Sequence, residues 1–573
     1  MRLILFLLCI SISYLNAQNF LHVDGKQIID KNGDEVILRG IGLGGHMLQE
    51  GYMLKAPFSG QQYVFRDSVK SLIGDVATEE FYSTWLKNHT QKTDIDSLKK
   101  WGFNSIRLPM HFNLFTLPVD QEPVKGENTW LDKGFMMTDS LLRWCESNEM
   151  YLILDMHAAP GGQGHDLNIS DRDPSKPSLW ESEENKQKLI ELWKKLASRY
   201  KDEEWIGGYD LINEPNWAFE EGKNKNGLEE TKNIPLKELM VELTQLIRSI
   251  DSNHIIIIEG NGWGNNYNGI FPPWDENMVV SFHKYWNYNR KEDIQWALDI
   301  RDKYDIPIWL GESGENSNVW FRDAIKLMEE NGIGWCWWPL KKLGYNNPLQ
   351  VKINEGYHDI LSYWRGEKNK PSREKAAEAF MQLAEDLKME NNIINYDVID
   401  AMFRQVRSNE VLPFKDHMKN GNVILAVDYD LGIIEKAYYD HNHANYYIST
   451  GGDRQKWNSG GTYRNDGVDI YVDEIGEYYI SDFTEGEWLH YTFDIDAEIK
   501  PELSLIINAK NNEAKISVFL NENLIDRLTI SPKQKFDELT IGRVQLKKGH
   551  NTIKILVEKG SAEFKSILFT DAS

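Results

Sequence analysis

Residues 151–157 read YLILDMH and residues 207–214 read GGYDLINE, with a segment of helical period, 184–200, between them. Each run is apolar until its end, where Asp155 and His157, then Asn213 and Glu214, take over. A buried strand that ends in polar groups, crosses over through a helix and begins again is a parallel βαβ unit. The unit recurs on both sides. Further runs occupy 36–43 (VILRGIGL), 103–109 (FNSIRLP), 254–259 (HIIIIE), 278–283 (MVVSFH), 307–312 (PIWLGE) and 332–338 (GIGWCWW). Helical segments at 94–101, 134–148, 235–250, 292–304 and 319–331 lie among them. Eight strands in such alternation predict a closed (β/α)8 TIM barrel of α/β class. No Gly-rich dinucleotide fingerprint follows any strand, which disfavours an open doubly wound sheet. Segment 372–390 is expected to close the ring, with 397–407 packed on it as an extra helix.

At 573 residues the chain is too long for one core. Beyond residue 421 the texture changes to short alternating strands at 477–483, 488–493, 503–509, 515–520, 538–545 and 551–558, separated by turn residues. That pattern predicts an all-β sandwich. The expected organisation is a leader over 1–17, a barrel domain over 18–410, a connector over 411–421 and the sandwich over 422–573. The leader has a basic start, an apolar run LILFLLCISIS too short to span a bilayer, and Ala17 before a cleavage point. It predicts export from a bacterium, into the medium, the periplasm or onto the outer surface. Cys145 and Cys336, the cysteines left after cleavage, make no disulfide framework and have no metal spacing.

Lys and Arg number 64 against 88 Asp and Glu, a net charge of −24 that excludes nucleic acid as a partner. A neutral polysaccharide or oligosaccharide suits this charge. The 20 Trp, 25 Tyr and 22 Phe supply flat rings that stack on sugar C–H faces. The chain is expected to act as a monomer.

In a barrel of this kind the active site lies at the C-terminal ends of the strands. These ends deliver Arg107, Asp155, His157, Asn213, Glu214, His283, Tyr285, Glu312 and Trp338. Glu214 and Glu312 come from the fourth and seventh strands, which face each other across a barrel mouth. Paired carboxylates so placed suit glycosidic cleavage, one protonating the leaving oxygen and one attacking or activating water. Arg107 and the Tyr285 hydroxyl are expected to hold one glutamate ionised, while an Asn and the ionised partner keep the other protonated. No Ser/His/Asp set competes, and His165 and Asp166 lack further metal ligands. No metal or cofactor is expected for catalysis.

The set Arg107-Leu108-Pro109, Asp155-Met156-His157, Asn213-Glu214-Pro215, His283-x-Tyr285, Gly311-Glu312-Ser313 and Trp338-Pro339-Leu340-Lys341 resembles the family 5 glycoside hydrolases, the cellulase-type retaining barrel enzymes. The resemblance spans residues 20–390. It implies Glu214 as acid/base, Glu312 as nucleophile, Asn213 on the sugar 2-hydroxyl, and Arg107, His157, His283 and Tyr285 as the supporting shell. It implies Trp338 as the sugar platform, since alternation turns only one of Trp337 and Trp338 to the cleft. Segment 158–173 is similar to the loop of the β-1,3-glucan-cleaving branch. Trp217, Trp263 and Trp286 follow strands four to six, where they could stack sugars or pack loops.

Residues 429–440, 458–470 and 486–493 resemble family 6 carbohydrate-binding modules. That likeness implies a glycan clamp with Tyr463 and Phe536 as walls, and a structural calcium. The sequence departs from the pattern at Ala426-Val427-Asp428 and within 564–569, where an acidic pair and an Asn are absent. The function expected is a secreted retaining hydrolase of β-1,4- or β-1,3-glucan, with β-mannan as an alternative substrate. A non-catalytic glycan-capture protein is the other class, and the complete Glu pair with its shell argues against it.

Overall fold

The computed structural model describes residues 20–58, 60–416, 423–446, 456–533 and 535–570; the expected leader lies outside them. Eight parallel strands close into a barrel: β1 (Arg39–Gly42), β2 (Ser105–His111), β3 (Tyr151–Ala158), β4 (Ile206–Asp210), β5 (Ile256–Glu259), β6 (Met278–Lys284), β7 (Ile308–Gly314) and β8 (Gly334–Trp338). Helices Lys92–Trp101, Asp132–Ser147, Glu183–Tyr200, Ile234–Arg248, Gln295–Tyr304 and Asn318–Glu330 return the chain between strands. After β5 the return is made by a short turn, Asn261–Gly264, and loop.

Side chains alternate along each strand, so every second residue enters the barrel. Leu38, Ile153, Ile257, Val279, Trp309 and Cys336 form its apolar floor. Leu21 and Ile28, from the N-terminal hairpin His22–Asp24/Gln27–Ile29, join that cluster and plug the bottom. One or two steps further along the same inward rows stand Asp155 and His157, Glu259, Ser281 and His283, and Trp338. The period-2 pattern thus carries each strand from an oily floor to a polar mouth.

The ring closes differently from the sequence expectation. Helix Tyr396–Arg407 takes the place beside Asn318–Glu330: Val398 and Met402 lie in the barrel's main core, and Phe403 packs on Phe103 at 4.8 Å and Trp335 at 5.8 Å. Helix Arg373–Asp386 instead joins a satellite core with Gln62–Ile73, Asp75–His89 and Glu355–Trp364, where Phe380 meets Phe81 at 5.3 Å. The physical difference is shape. Phe403 fills a gap between two large rings, whereas Ala376, Ala379 and Ala384 let the other helix nest closely among neighbours.

The C-terminal part is all β. One sheet runs Ile470–Val472, Tyr478–Thr484, Ser561–Thr570, Glu502–Ala509, Asp537–Arg543, with Val423–Leu425 also on Ser561–Thr570. The other runs Tyr438–Tyr439, Trp488–Ile495, Gly549–Lys559, Ala514–Leu520, Asn523–Ile530. Their inner faces share a core that includes Ile424, Tyr491, Leu505 and Ile555. Among the described residues no helix is long and apolar enough to cross a membrane, and Cys145 and Cys336 are buried and unbridged.

Candidate active site

Strict alternation from Trp309 would turn Gly311 inward and Glu312 outward. The register prevents this. Leu310 pairs with Phe282 and Glu312 with His283, so Gly311 is an extra residue in β7, a bulge. The bulge re-aims Glu312 into the mouth beside His283. It also requires glycine, because a Cβ on Gly311 would lie 2.0 Å from Ser281 Oγ.

Glu214 arrives by another local device. It follows β4 with φ at 43°, the left-handed region that non-glycine residues rarely enter. Its backbone N–H donates to Glu259 Oε2 at 2.7 Å, which helps hold that conformation.

Arg107 is fully buried and organises the floor of the site. Its Nη1 donates to Glu312 Oε2 at 2.8 Å, and its Nη2 donates to Asp210 Oδ2 at 2.9 Å, Asn213 Oδ1 at 2.8 Å and Glu259 Oε1 at 2.9 Å. Tyr285 donates to the second oxygen of Glu312 at 2.7 Å. Both Glu312 oxygens are therefore fixed by donors. Those are the two groups expected to hold a glutamate ionised.

The partner of Glu214 differs from the expectation. Asn213 makes no bond to it; the contact is His283 Nδ1, 2.6 Å from Glu214 Oε1. His283 Nε2 lies 3.2 Å from Glu259 Oε1, so the ring bridges two carboxylates. Burial pulls the imidazole down, but the charges of Glu259, Glu312 and Glu214 push it well above its ordinary value. Burial pushes Glu214 up to about 7, against the pull of His283 and with the repulsion of Glu312 and Glu259. Burial also opposes ionisation of Glu259, yet His283, Arg107 and the Glu214 amide hold it down at about 2. Burial and the charge of Glu259 push Asp210 well up.

On the β3 side, Asp155 Oδ2 lies 2.7 Å from His157 Nδ1, and Asn213 Nδ2 approaches His157 Nε2 at 3.3 Å. The His157 ring lies parallel to Trp338 at 5.1 Å. Trp338 faces the mouth and donates from Nε1 to Tyr52 Oη at 2.9 Å. Trp337 turns outward onto Phe321 at 5.1 Å. All nine barrel residues singled out from the sequence thus meet in one hydrogen-bonded and stacked cluster.

Four participants had not been singled out. Asp210 and Glu259 occupy inward positions at strand ends, a signal that alternation alone offers. Glu50 and Tyr52 come from the loop after β1, which carries no periodic pattern. The Glu50 carboxyl is buried at the mouth, and burial with the charges of Glu312 and Glu214 pushes it well above the ordinary range.

The loop tryptophans mostly hold loops. Trp217 stacks on His165 at 4.0 Å, Trp263 donates to Asp166 Oδ2 at 3.3 Å, and Trp286 donates to the Glu315 carbonyl at 3.2 Å. A groove of about 1360 Å³ extends past the ends of β2 and β3, lined by His111, Asn113, Gln121, Asn128 and Asp171 among others.

Among the described residues, the one trio that could hold a metal is Glu214, His283 and Glu312, with one ligand atom of each within 4.8 Å of the others. Both His283 ring nitrogens already lie against carboxylates, Nδ1 against Glu214 and Nε2 against Glu259.

In the sandwich, Tyr463 and Phe536 do not form a clamp. Tyr463 packs on Tyr478 at 4.6 Å, while Phe536 packs on the next residue, Tyr479, at 5.5 Å. Successive residues of a strand face opposite sides of the sheet, so the two rings stand on opposite faces. The Tyr463 hydroxyl donates to Asp428, and Lys415 caps both groups. No trio of metal-capable side chains comes together among the described sandwich residues.

A parallel barrel with two facing glutamates at its C-terminal mouth, one fixed by Arg and Tyr and one raised to about 7, is the architecture of a glycoside-cleaving enzyme. Comparison with known proteins agrees. The model of the cellulase family, glycosyl hydrolase family 5, matches residues 70–344, and the protein is an O-glycosyl hydrolase. It is similar to a β-xylosidase of Phanerodontia chrysosporium, 25% identical over 387 residues, covering 61% of this chain and 77% of that one. Endoglucanase C of Acetivibrio thermocellus is 24% identical over 351 residues, covering 50% and 94%. A probable glucan 1,3-β-glucosidase A of Aspergillus niger is 27% identical over 196 residues, covering 34% and 44%.

Proposed function

We propose that the protein is an exported retaining hydrolase of β-glucan, with Glu312 as nucleophile and Glu214 as acid/base. The observation that carries this is the closeness of the pair: one oxygen of each lies within 4.8 Å of the other. Enzymes that retain configuration place the carboxyls about 5–5.5 Å apart, and inverting ones about 6.5–9.5 Å, to leave room for water.

Glu312, aimed by Arg107 and Tyr285, attacks the anomeric carbon while Glu214 gives its proton to the departing glycosidic oxygen. A glycosyl ester on Glu312 results. Glu214, now a carboxylate beside His283, takes a proton from water, which opens the ester and restores both groups. Two inversions leave the configuration unchanged. Trp338 stacks beneath the sugar at the cleavage point, and Asn213 is placed for its 2-hydroxyl. No step calls on a metal.

Substrate class rests on the relatives: an endoglucanase and a 1,3-β-glucosidase favour glucan, with 1,4- or 1,3-linkage. The fungal β-xylosidase favours a second reading, a β-xyloside. Reducing-sugar release across barley β-glucan, laminarin, carboxymethylcellulose, mannan and xylan separates them. Activity on a glucan supports the proposal; activity confined to xylan or mannan overturns the substrate. For the sandwich, the separated Tyr463 and Phe536 rings favour a role toward the barrel over a glycan clamp.

A further inference from the structure

Glu312 is followed within six residues by Asn316, Ser317 and Asn318, all buried. Their partners come from the C-terminal sandwich. Asn316 exchanges bonds with the Asn445 backbone, donating from Nδ2 to its carbonyl at 2.8 Å and accepting its N–H at 3.0 Å. Ser317 Oγ donates to the His443 carbonyl at 2.5 Å. Asn465, wholly buried, donates from Nδ2 to the Asn316 carbonyl at 2.9 Å and to Asn318 Oδ1 at 3.0 Å. Its own carbonyl accepts the Asn318 N–H at 2.9 Å, one of the orphan donors at the start of helix Asn318–Glu330. Its Oδ1 accepts from Trp457 Nε1 at 3.0 Å. Every polar atom of the Asn465 side chain is thereby used.

The segment so held runs directly into the mouth. Glu315, immediately before Asn316, has φ at 54°, and such a non-glycine conformation persists only where its surroundings fix it. Its carboxylate accepts from Lys342 Nζ at 2.5 Å and from Tyr52 Oη at 3.4 Å, and that Tyr52 oxygen accepts from Trp338 Nε1. Its carbonyl accepts from Trp286 Nε1 at 3.2 Å. Asn465, Asn316, Glu315, Tyr52 and Trp338 thus form an unbroken series of bonded or adjacent groups from the sandwich to the sugar platform.

We propose that the C-terminal sandwich is a positioning part of the active site, with Asn465 as the positioning residue that sets Glu315 and, through Tyr52, the Trp338 platform. Glu312 itself is fixed independently by Arg107 and Tyr285. Loss of the latch therefore loosens substrate placement more than the chemical step. The proposal rests on the hydrolase reading of this mouth but not on which glycan it cuts.

The test uses the full-length chain and any aryl β-glycoside it turns over. Asn465→Ala is expected to raise KM about tenfold with kcat within about threefold, at a temperature where the protein is fully folded. Leu505→Ala, in the sandwich core, is expected to lower Tm and leave KM unchanged, which separates positioning from stability. In the double variant with Glu315→Gln, Asn465→Ala should add nothing to the KM of Glu315→Gln alone, because both act through one series. If Asn465→Ala does not fold, Asn465→Ser carries the same expectation. An unchanged KM in the folded Asn465 variant, a KM rise in Leu505→Ala, or additive effects in the double variant would each overturn the proposal. Loss of turnover in Glu312→Gln, measured alongside, tests the hydrolase reading separately.

Discussion

Gly311→Ala probes the device that aims the nucleophile. A methyl at this position would lie 2.0 Å from Ser281 Oγ, 3.2 Å from Trp309 Cζ3 and 3.3 Å from Ser281 Cβ. An ordinary contact needs about 3.4 Å or more, so either the Ser281 hydroxyl or β7 itself must give way by more than 1 Å in the close-packed barrel interior. Overpacking of this kind costs about 1–3 kcal/mol of stability. The larger effect falls on rate. A nucleophile misplaced by about 1 Å loses about a hundredfold, so kcat should drop by roughly that factor. The assay is kcat on an activated aryl β-glycoside, with Tm measured on the same sample. Ser281→Ala supplies the internal control: Ser281 Oγ is buried without a hydrogen-bond partner, so its removal sacrifices no bond. The double variant Gly311→Ala/Ser281→Ala should recover most of the lost rate, with the 3.2 Å ring contact leaving a residue of the defect. Wild-type kcat in Gly311→Ala, or no recovery in the double variant, would refute the reasoning.

Glu214→Ala should spare the first step on substrates with good leaving groups far better than on natural glycan, and azide should rescue the second step; equal losses and no azide effect would point to another acid. Because Glu214 is held at about 7 and must carry its proton to act, kcat/KM should fall as pH rises through that region. His283 pulls Glu214 down, so in His283→Gln the alkaline limb should move to higher pH while kcat falls, read from a pH–rate profile. Tyr463→Ala should leave affinity for insoluble glucan unchanged in a pull-down, since its hydroxyl and ring are committed to Asp428 and Tyr478. Deleting the chain after residue 420 should instead lower both Tm and activity on short soluble substrates, because Asn316, Ser317 and Asn318 lose their partners.

The barrel was legible because period-2 alternation writes floor and mouth into the same rows: Ile153, Asp155 and His157 are successive inward residues. The residues gathered at the mouth followed from strand-end chemistry. Glu259 stood in plain view at the end of HIIIIE, yet its role depends on His283 and Arg107 converging from two other strands. The bulge at Gly311 was not legible, since only register reveals it. Nor could periodicity rank two amphipathic helices, and the ring took Tyr396–Arg407 because Phe403 fits between Phe103 and Trp335. In the sandwich, a motif likeness put Tyr463 and Phe536 in one clamp, whereas strand alternation at Tyr478 and Tyr479 sends them to opposite faces. The polar latch at Asn465 left no sequence signal, because Asn is equally at home in an exposed turn.

The central claim is that Glu312 becomes covalently bound to the sugar. Incubating the protein with a β-glycoside that bears fluorine at the 2-position and a dinitrophenolate leaving group slows breakdown of that ester enough to accumulate it. Peptide mass analysis should then find one sugar on the peptide containing Glu312, absent from Glu312→Gln. An enzyme that turns over the parent glycoside yet gives no adduct, or carries it on Glu214 or Glu50, would contradict the account.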